Sequence, residues 1–285
     1  MLAAAFATST LFAETTAAEY GTIINLSGRQ RMLSQKLTKE LLLTALNVDA
    51  ASNLQNAVKT AGIFDKTLHG LRDGSKELGL PPTQDKAILS QLDQIGALWS
   101  EYHELVNVIS TAGTVTPEQV KRLAAINLPL LDQLNGCVSL YENQARSGSL
   151  SGNPALAIAV NLAGRQRMLS QKMTKEFCLL ALGYEPEKTR LQLQETTQLF
   201  TRTMTGLSNG DKELELSPSI NTPEIAEQLK MVNMQWKAYG TFMRAAVEGT
   251  PNAFQIETIH DVADRCIPLL RDMNTVVTQY EALAH

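Results

Sequence analysis

The sequence predicts an all-α protein of two tandem antiparallel four-helix bundles with long helices, and three observations carry that prediction. Apolar residues make up 44% of the 285 residues but aromatic residues only 5%, and an abundance of Leu, Ala, Gln, Lys, Glu and Thr favours packed helices over sheets. Apolar positions recur with helical period over segments of roughly 25 to 30 residues, punctuated by proline and glycine. The third observation is a duplication. Asn25 to Glu40 recurs from Asn161 to Glu176, changed only at Ser27/Ala163 and Leu37/Met173. Downstream, Phe64 answers Phe200, Gly70-Leu71 answers Gly206-Leu207, and Trp99 and Tyr102 answer Trp236 and Tyr239. Pro129, Asn135 and Tyr141-Glu142 answer Pro268, Asn274 and Tyr280-Glu281. Self-similarity over so long a stretch is the mark of a repeated folding unit.

The elements follow in order. Met1 to Ala13 reads as the apolar core and small-residue cleavage point of a secretory signal, so about residues 1–13 are expected to be removed and the mature chain exported to the periplasm. A first module over about residues 19–146 holds helices near 19–47, 50–73, 84–111 and 117–146. Asp73-Gly74 stops the second, Pro81-Pro82 bars its continuation, and Thr116-Pro117-Glu118-Gln119 supplies an N-cap, a first-turn proline and a capping-box Gln. About residues 147–154, rich in Ser and Gly, form a flexible linker. The second module, about residues 155–284, repeats the logic with helices near 155–183, 186–209, 222–248 and 252–283. Pro186, Thr222-Pro223 and Thr250-Pro251 stand at its helix starts. Pro129 and Pro268 sit inside the fourth helices, where each removes a backbone donor and a shared kink is expected.

Bulk properties exclude several functions. A net charge of −4 is wrong for nucleic acid, whose phosphates need a surplus of Lys and Arg. No run of about 18 apolar residues, the length of a membrane span, is present. Cys137, Cys178 and Cys266 are odd in number without CxxC spacing, so at least one is free and all read as buried small hydrophobes. His69, His103, His260 and His285 show no paired ligand spacing, so no metal is expected. No nucleophile, base and orienting group recur at matching positions, so neither catalysis nor a cofactor is expected. The pairs Trp99/Tyr102 and Trp236/Tyr239 read as core.

The chemistry is concentrated in one block. Gly28-Arg29-Gln30-Arg31-Met32-Leu33-Ser34-Gln35-Lys36 returns unchanged as Gly164 to Lys172 while its surroundings have diverged. Packing tolerates volume-conserving swaps, so something beyond packing holds the block. Guanidinium presents two parallel donors to a planar oxyanion and is weakly hydrated, and Gly28 and Gly164 permit close approach. Arg29 and Arg31 diverge by about 160° around a helix, as do Arg165 and Arg167, so one of each pair faces a ligand while the other braces the bundle or reaches another helix. Two such helices together would gather four Arg with Lys36 and Lys172, which calls for a counter-anion. The plain alternative is that these arginines are solvated or paired with Glu40, Asp65 or similar carboxylates.

Ile24 to Lys36, and again Asn161 to Lys172, resembles the signature opening the PilJ-type sensor domain, the N-terminal region of type IV pilus methyl-accepting chemotaxis transducers. More distantly, the pattern Asn25, Gly28, Arg31-Met32, Lys36, with Asn161, Gly164, Arg167-Met168, Lys172, is similar to the first helix of the periplasmic sensor domain of nitrate/nitrite histidine kinases. The resemblance implies a four-helix bundle that binds nitrate or nitrite between the first helices of two subunits. It adds Asn25 and Asn161 to the ligand-binding set. No membrane helix or signalling segment follows Tyr280 in this sequence, so a small-anion binding protein without its own output is expected, read by a membrane receptor or sensor partner. Its two copies would form a pseudo-dimer within one chain, or two chains a homodimer. The alternative is a ligand-free helical module docking to type IV pilus or chemosensory machinery.

Overall fold

The computed structural model describes residues 17–147 and 154–283. The expected signal, about residues 1–13, and most of the linker lie outside them. Among the described residues there are eight α-helices: α1 Ala17–Ala45, α2 Ala50–Asp73, α3 Lys86–Ala112, α4 Pro117–Ser147, α5 Pro154–Ala181, α6 Pro186–Asn209, α7 Pro223–Glu248 and α8 Ile256–Ala282. A 3-10 turn at Pro218–Ile220 precedes α7. Helices α1 to α4 pack as a ring, α1 on α2 and α4 with α3 closing it, and α5 to α8 repeat the arrangement. The two rings meet along α1 and α5, an interface as extensive as those inside each ring.

That position explains α1 and α5. A helix facing its own bundle on one side and a second bundle on the other is buried all round and loses the amphipathic stripe of a surface helix. From Ser27 to Thr44 only Arg29 and Lys36 escape full burial. Buried polar groups then need partners. Gln30 Nε2 donates to the Phe64 carbonyl and Gln166 Nε2 to the Phe200 carbonyl, each at 2.8 Å. Thr38 and Tyr102, like Thr174 and Tyr239, share hydroxyl hydrogen bonds of 2.7 Å. Phe64 packs on Trp99 with ring centroids 4.2 Å apart and Phe200 on Trp236 at 4.6 Å. Both tyrosines and Trp99 are core, whereas Trp236 is half-buried. The three cysteines are free and buried.

Local signals set most ends. The capping box forms: Gln119 Oε1 accepts from the Thr116 N–H at 2.8 Å, and Thr116 Oγ1 from the Gln119 N–H at 3.3 Å. Thr222 caps α7. Thr250-Pro251, expected to open the last helix near residue 252, does not. Gly249 turns left-handed with φ 69°, and the Thr250 N–H donates to the Ala245 carbonyl, so Thr250 wraps the end of α7. Helix α8 starts four residues later. Ser147 and Pro154, placed in the linker, are helical, and α4 and α8 run unbroken through Pro129 and Pro268.

Gly74 ends α2 at φ 84°, ψ 155°, a region open essentially to glycine, and a Cβ there would lie 2.9 Å from the Pro82 nitrogen. Gly74→Ala is expected to cost about 1–3 kcal/mol. Urea denaturation measures this, and an unchanged midpoint would show that the turn relaxes.

Candidate functional site

The contacts between α1 and α5 climb together, from Arg31 meeting Asn161 to Lys39 lying beside Cys178, so the two helices run parallel about a pseudo-twofold. This register brings the duplicated basic blocks together. Arg31 Nη2 donates to Asn161 Oδ1 at 3.3 Å and, reciprocally, Arg167 Nη2 donates to Asn25 Oδ1 at 3.2 Å. The other terminal nitrogens reach the fourth helix of their own repeat, Arg31 to Asn135 Oδ1 at 3.5 Å and Arg167 to Asn274 Oδ1 at 3.4 Å. Both guanidiniums are buried, at 7% exposure. Arg29 and Arg165 are half-buried.

A guanidinium is taken out of water only at a cost, and here the compensation is thin. The hydrogen bonds lie at or beyond the long end of the ordinary range, and among the described residues Arg167 Nε has no hydrogen-bond partner. Burial pushes the Arg31 guanidinium down to about 10; Glu142 offsets part of this, and Arg165 and Arg167 from the opposite repeat add to it. Burial likewise pushes Arg167 down to about 10, with Glu281 opposing and Arg29 reinforcing. Arg165 is lowered by burial alone, and burial raises Glu142 against the pull of Arg31 and Arg146. Four guanidiniums therefore meet at one crossing of parallel helices, with Glu142 and Glu281 as the carboxylates felt by the buried pair.

Of the residues picked from the sequence, the structure brings together Asn25, Arg29, Arg31, Asn161, Arg165 and Arg167. Gly28 and Gly164 belong with them: a Cβ would sit 3.3 Å from Arg31 Nη2 and 3.4 Å from Arg167 Nη2, so each glycine makes room for the guanidinium one turn on. Lys36 and Lys172 are held elsewhere. Lys36 pairs with Glu40 and Thr60, and Lys172 with Glu176 and Thr196, inside their own repeats. Glu40 is thus committed to a lysine, and Asp65 accepts from Trp99 Nε1 at 2.9 Å, so neither serves the arginines. Sequence reasoning missed Asn135, Asn274, Glu142 and Glu281 as site residues. Their recurrence at matching places in the two repeats was the available signal.

The profile described as Type IV pili methyl-accepting chemotaxis transducer N-term, PilJ, matches residues 15–124 and again residues 150–262. The chain belongs to the PilJ family. It carries the PilJ domain, a sensing-type domain of such transducers, twice in tandem. Methyl-accepting chemotaxis protein McpN of Pseudomonas aeruginosa is 31% identical over 125 residues, 44% of this chain and 22% of that protein. This chain therefore matches about a fifth of the length of that relative. Among the described residues no helix is long and apolar enough to cross a membrane.

Proposed function

We propose that the two PilJ repeats form one binding site for a small oxyanion, nitrate or nitrite, at the crossing of α1 and α5, and that the protein is an exported sensor-type binder whose bound state is read by a partner. The observation that carries this reading is the pair of buried guanidiniums, Arg31 and Arg167, which feel the arginines of the opposite repeat across the pseudo-twofold and are bonded at long range to asparagines rather than carboxylates. Planar forked donors match a planar oxyanion, and an anion between them would relieve a repulsion that the protein now bears. Because both first helices belong to one chain, no second chain is needed. The chemistry is binding, with no group transfer assigned to any residue.

Calorimetric titration of the full chain with nitrate and with nitrite, in a chloride buffer, tests the reading. One anion per chain is expected. One per two chains would move the site to an interface between copies, and no heat from either anion would favour the ligand-free docking module.

A further inference from the structure

Lys39 and Lys175 hold equivalent places in the two repeats. Each is buried at the junction of α1 and α5 and reaches the fourth helix of the opposite repeat. Lys175 Nζ donates to Asn127 Oδ1 at 2.9 Å, and Asn127 Nδ2 in turn donates to Thr38 Oγ1 at 2.7 Å, so that junction is sealed by an amide. Aligning Pro129 with Pro268 sets Cys266 opposite Asn127. Among the described residues, Cys266 Sγ, at 3.9 Å, is the one hydrogen-bond partner of the Lys39 ammonium. A thiol sulfur is a weak acceptor, and a buried ammonium needs oxygen partners. The duplication thus contains its own control: one lysine is satisfied, the other is left wanting an acceptor.

The unsatisfied lysine lines a cleft of about 740 Å³ between α1 and α2 of the first repeat and α8 of the second. Gln171, also in the lining, donates through Nε2 to Cys266 Sγ at 3.1 Å, while its buried Oε1 has no hydrogen-bond partner among the described residues. An acceptor is therefore missing at Lys39, whereas the missing donor at Gln171 Oε1 is shared with its counterpart Gln35 Oε1 in the first repeat. Asp49 and Asp264 also line the cleft, as do Leu43 and Ile267, the latter 63% exposed. The volume is that of a small-molecule site.

We propose that this cleft is a second ligand site, which takes a small carboxylate bearing an amino or hydroxyl donor beside its acid group. The carboxylate stands where the Asn127 amide oxygen stands in the other half, on Lys39, and the adjacent donor satisfies Gln171 Oε1. An ammonium donor would gain further from Asp49 and Asp264. The ligand would be gripped by both repeats, since its walls come from α1 and α2 on one side and α5 and α8 on the other. Asn274, which accepts from Arg167, also lines the cleft, so the two sites adjoin.

The test is calorimetric titration of the full chain with L-alanine, L-lactate and propionate, three carboxylates of similar size of which only propionate lacks the donor. Alanine or lactate is expected to bind with a Kd below about 1 mM and propionate at least about tenfold more weakly. Preference for alanine assigns a role to Asp49 and Asp264, and preference for lactate assigns a hydroxyl to Gln171. Cys266→Asn, which copies the seal of the other half, and Lys39→Met are each expected to weaken binding at least about tenfold, with a cooperative thermal melt that shows the variant folded and the nitrate titration as in the wild type. Should Cys266→Asn fail to fold, Lys39→Met carries the test. No heat with any of the three, propionate binding as tightly as the others, or binding unchanged in the folded variants would overturn the proposal. A failure of nitrate to bind the wild type leaves this test standing, because its outcome rests on the three carboxylates alone.

Discussion

Replacing Lys175 with methionine is expected to flatten the protein's stability between pH 8 and 9 and to raise it at pH 7 by up to about 2 kcal/mol. Burial pushes the Lys175 ammonium down to about 8 from an ordinary 10.5, with Lys172 adding to the fall and Glu176 opposing it. A depression of that size means that holding the charge inside costs roughly 3 kcal/mol at neutral pH. Part of the gain from removing it is lost because Asn127 Oδ1 forfeits its donor, a penalty of about 1–3 kcal/mol. The sign with pH follows from proton counts. Between the folded and unfolded values the unfolded chain holds more protons, so wild-type stability rises from about pH 8, at up to about 1.4 kcal/mol per pH unit. Above pH 9 the buried thiols of Cys137 and Cys178, both raised to about 12 by burial, act the other way, because the unfolded chain loses those protons first. The window is therefore pH 8 to 9, and subtracting the variant cancels the thiols. Urea denaturation at pH 7, 8 and 9 measures the difference, and parallel curves for the two proteins would sink the claim.

Lys175 also shows where sequence reading stops. It lies inside the segment repeated between Asn25–Glu40 and Asn161–Glu176, yet the string alone gives no reason to separate it from Lys172, which ends in an intrabundle ion pair. The distinction arises only when α5 docks on α1 and one face of each helix is pressed against the neighbouring bundle. The same holds for Asn127 and Cys266: their mismatch is visible when the repeats are aligned, but its meaning depends on the lysine each one meets. What was legible was local or periodic. The helices follow from apolar period, and the Thr116-Gln119 and Thr222 caps from short-range hydrogen bonding. Where two local signals competed, at Gly249 and Thr250, the closure of α7 won and the expected start of α8 was displaced. The divergence of Arg29 from Arg31 around one helix followed from 100° per residue, and in the structure Arg29 is half-buried while Arg31 is buried. That Arg31 would reach across to Asn161 as well as to Asn135 in its own bundle required the parallel pseudo-twofold, which no local signal encodes.

Arg31→Gln and Arg167→Gln are expected to move stability and ligand response in opposite directions. Each guanidinium is held near 10 rather than 12.5 by burial and by the arginines of the opposite repeat, equivalent to a cost of roughly 3 kcal/mol for keeping the charge there. Glutamine removes the charge but retains an amide donor for one asparagine oxygen, so the unliganded variants should be more stable than the wild type by about 1–3 kcal/mol. An anion that binds only the folded state adds about 2.7 kcal/mol at a hundredfold excess over its Kd, and nitrate or nitrite should supply that gain to the wild type. In either variant the gain should shrink below about 1 kcal/mol at the same concentration. Because both arginines serve one site, the double variant should lose little more than either single one. A purely bracing role predicts the reverse pattern: both variants less stable without ligand, with any anion response intact. Chemical denaturation with and without nitrate separates the two cases, since a site built to hold an anion is strained when empty and a brace is not.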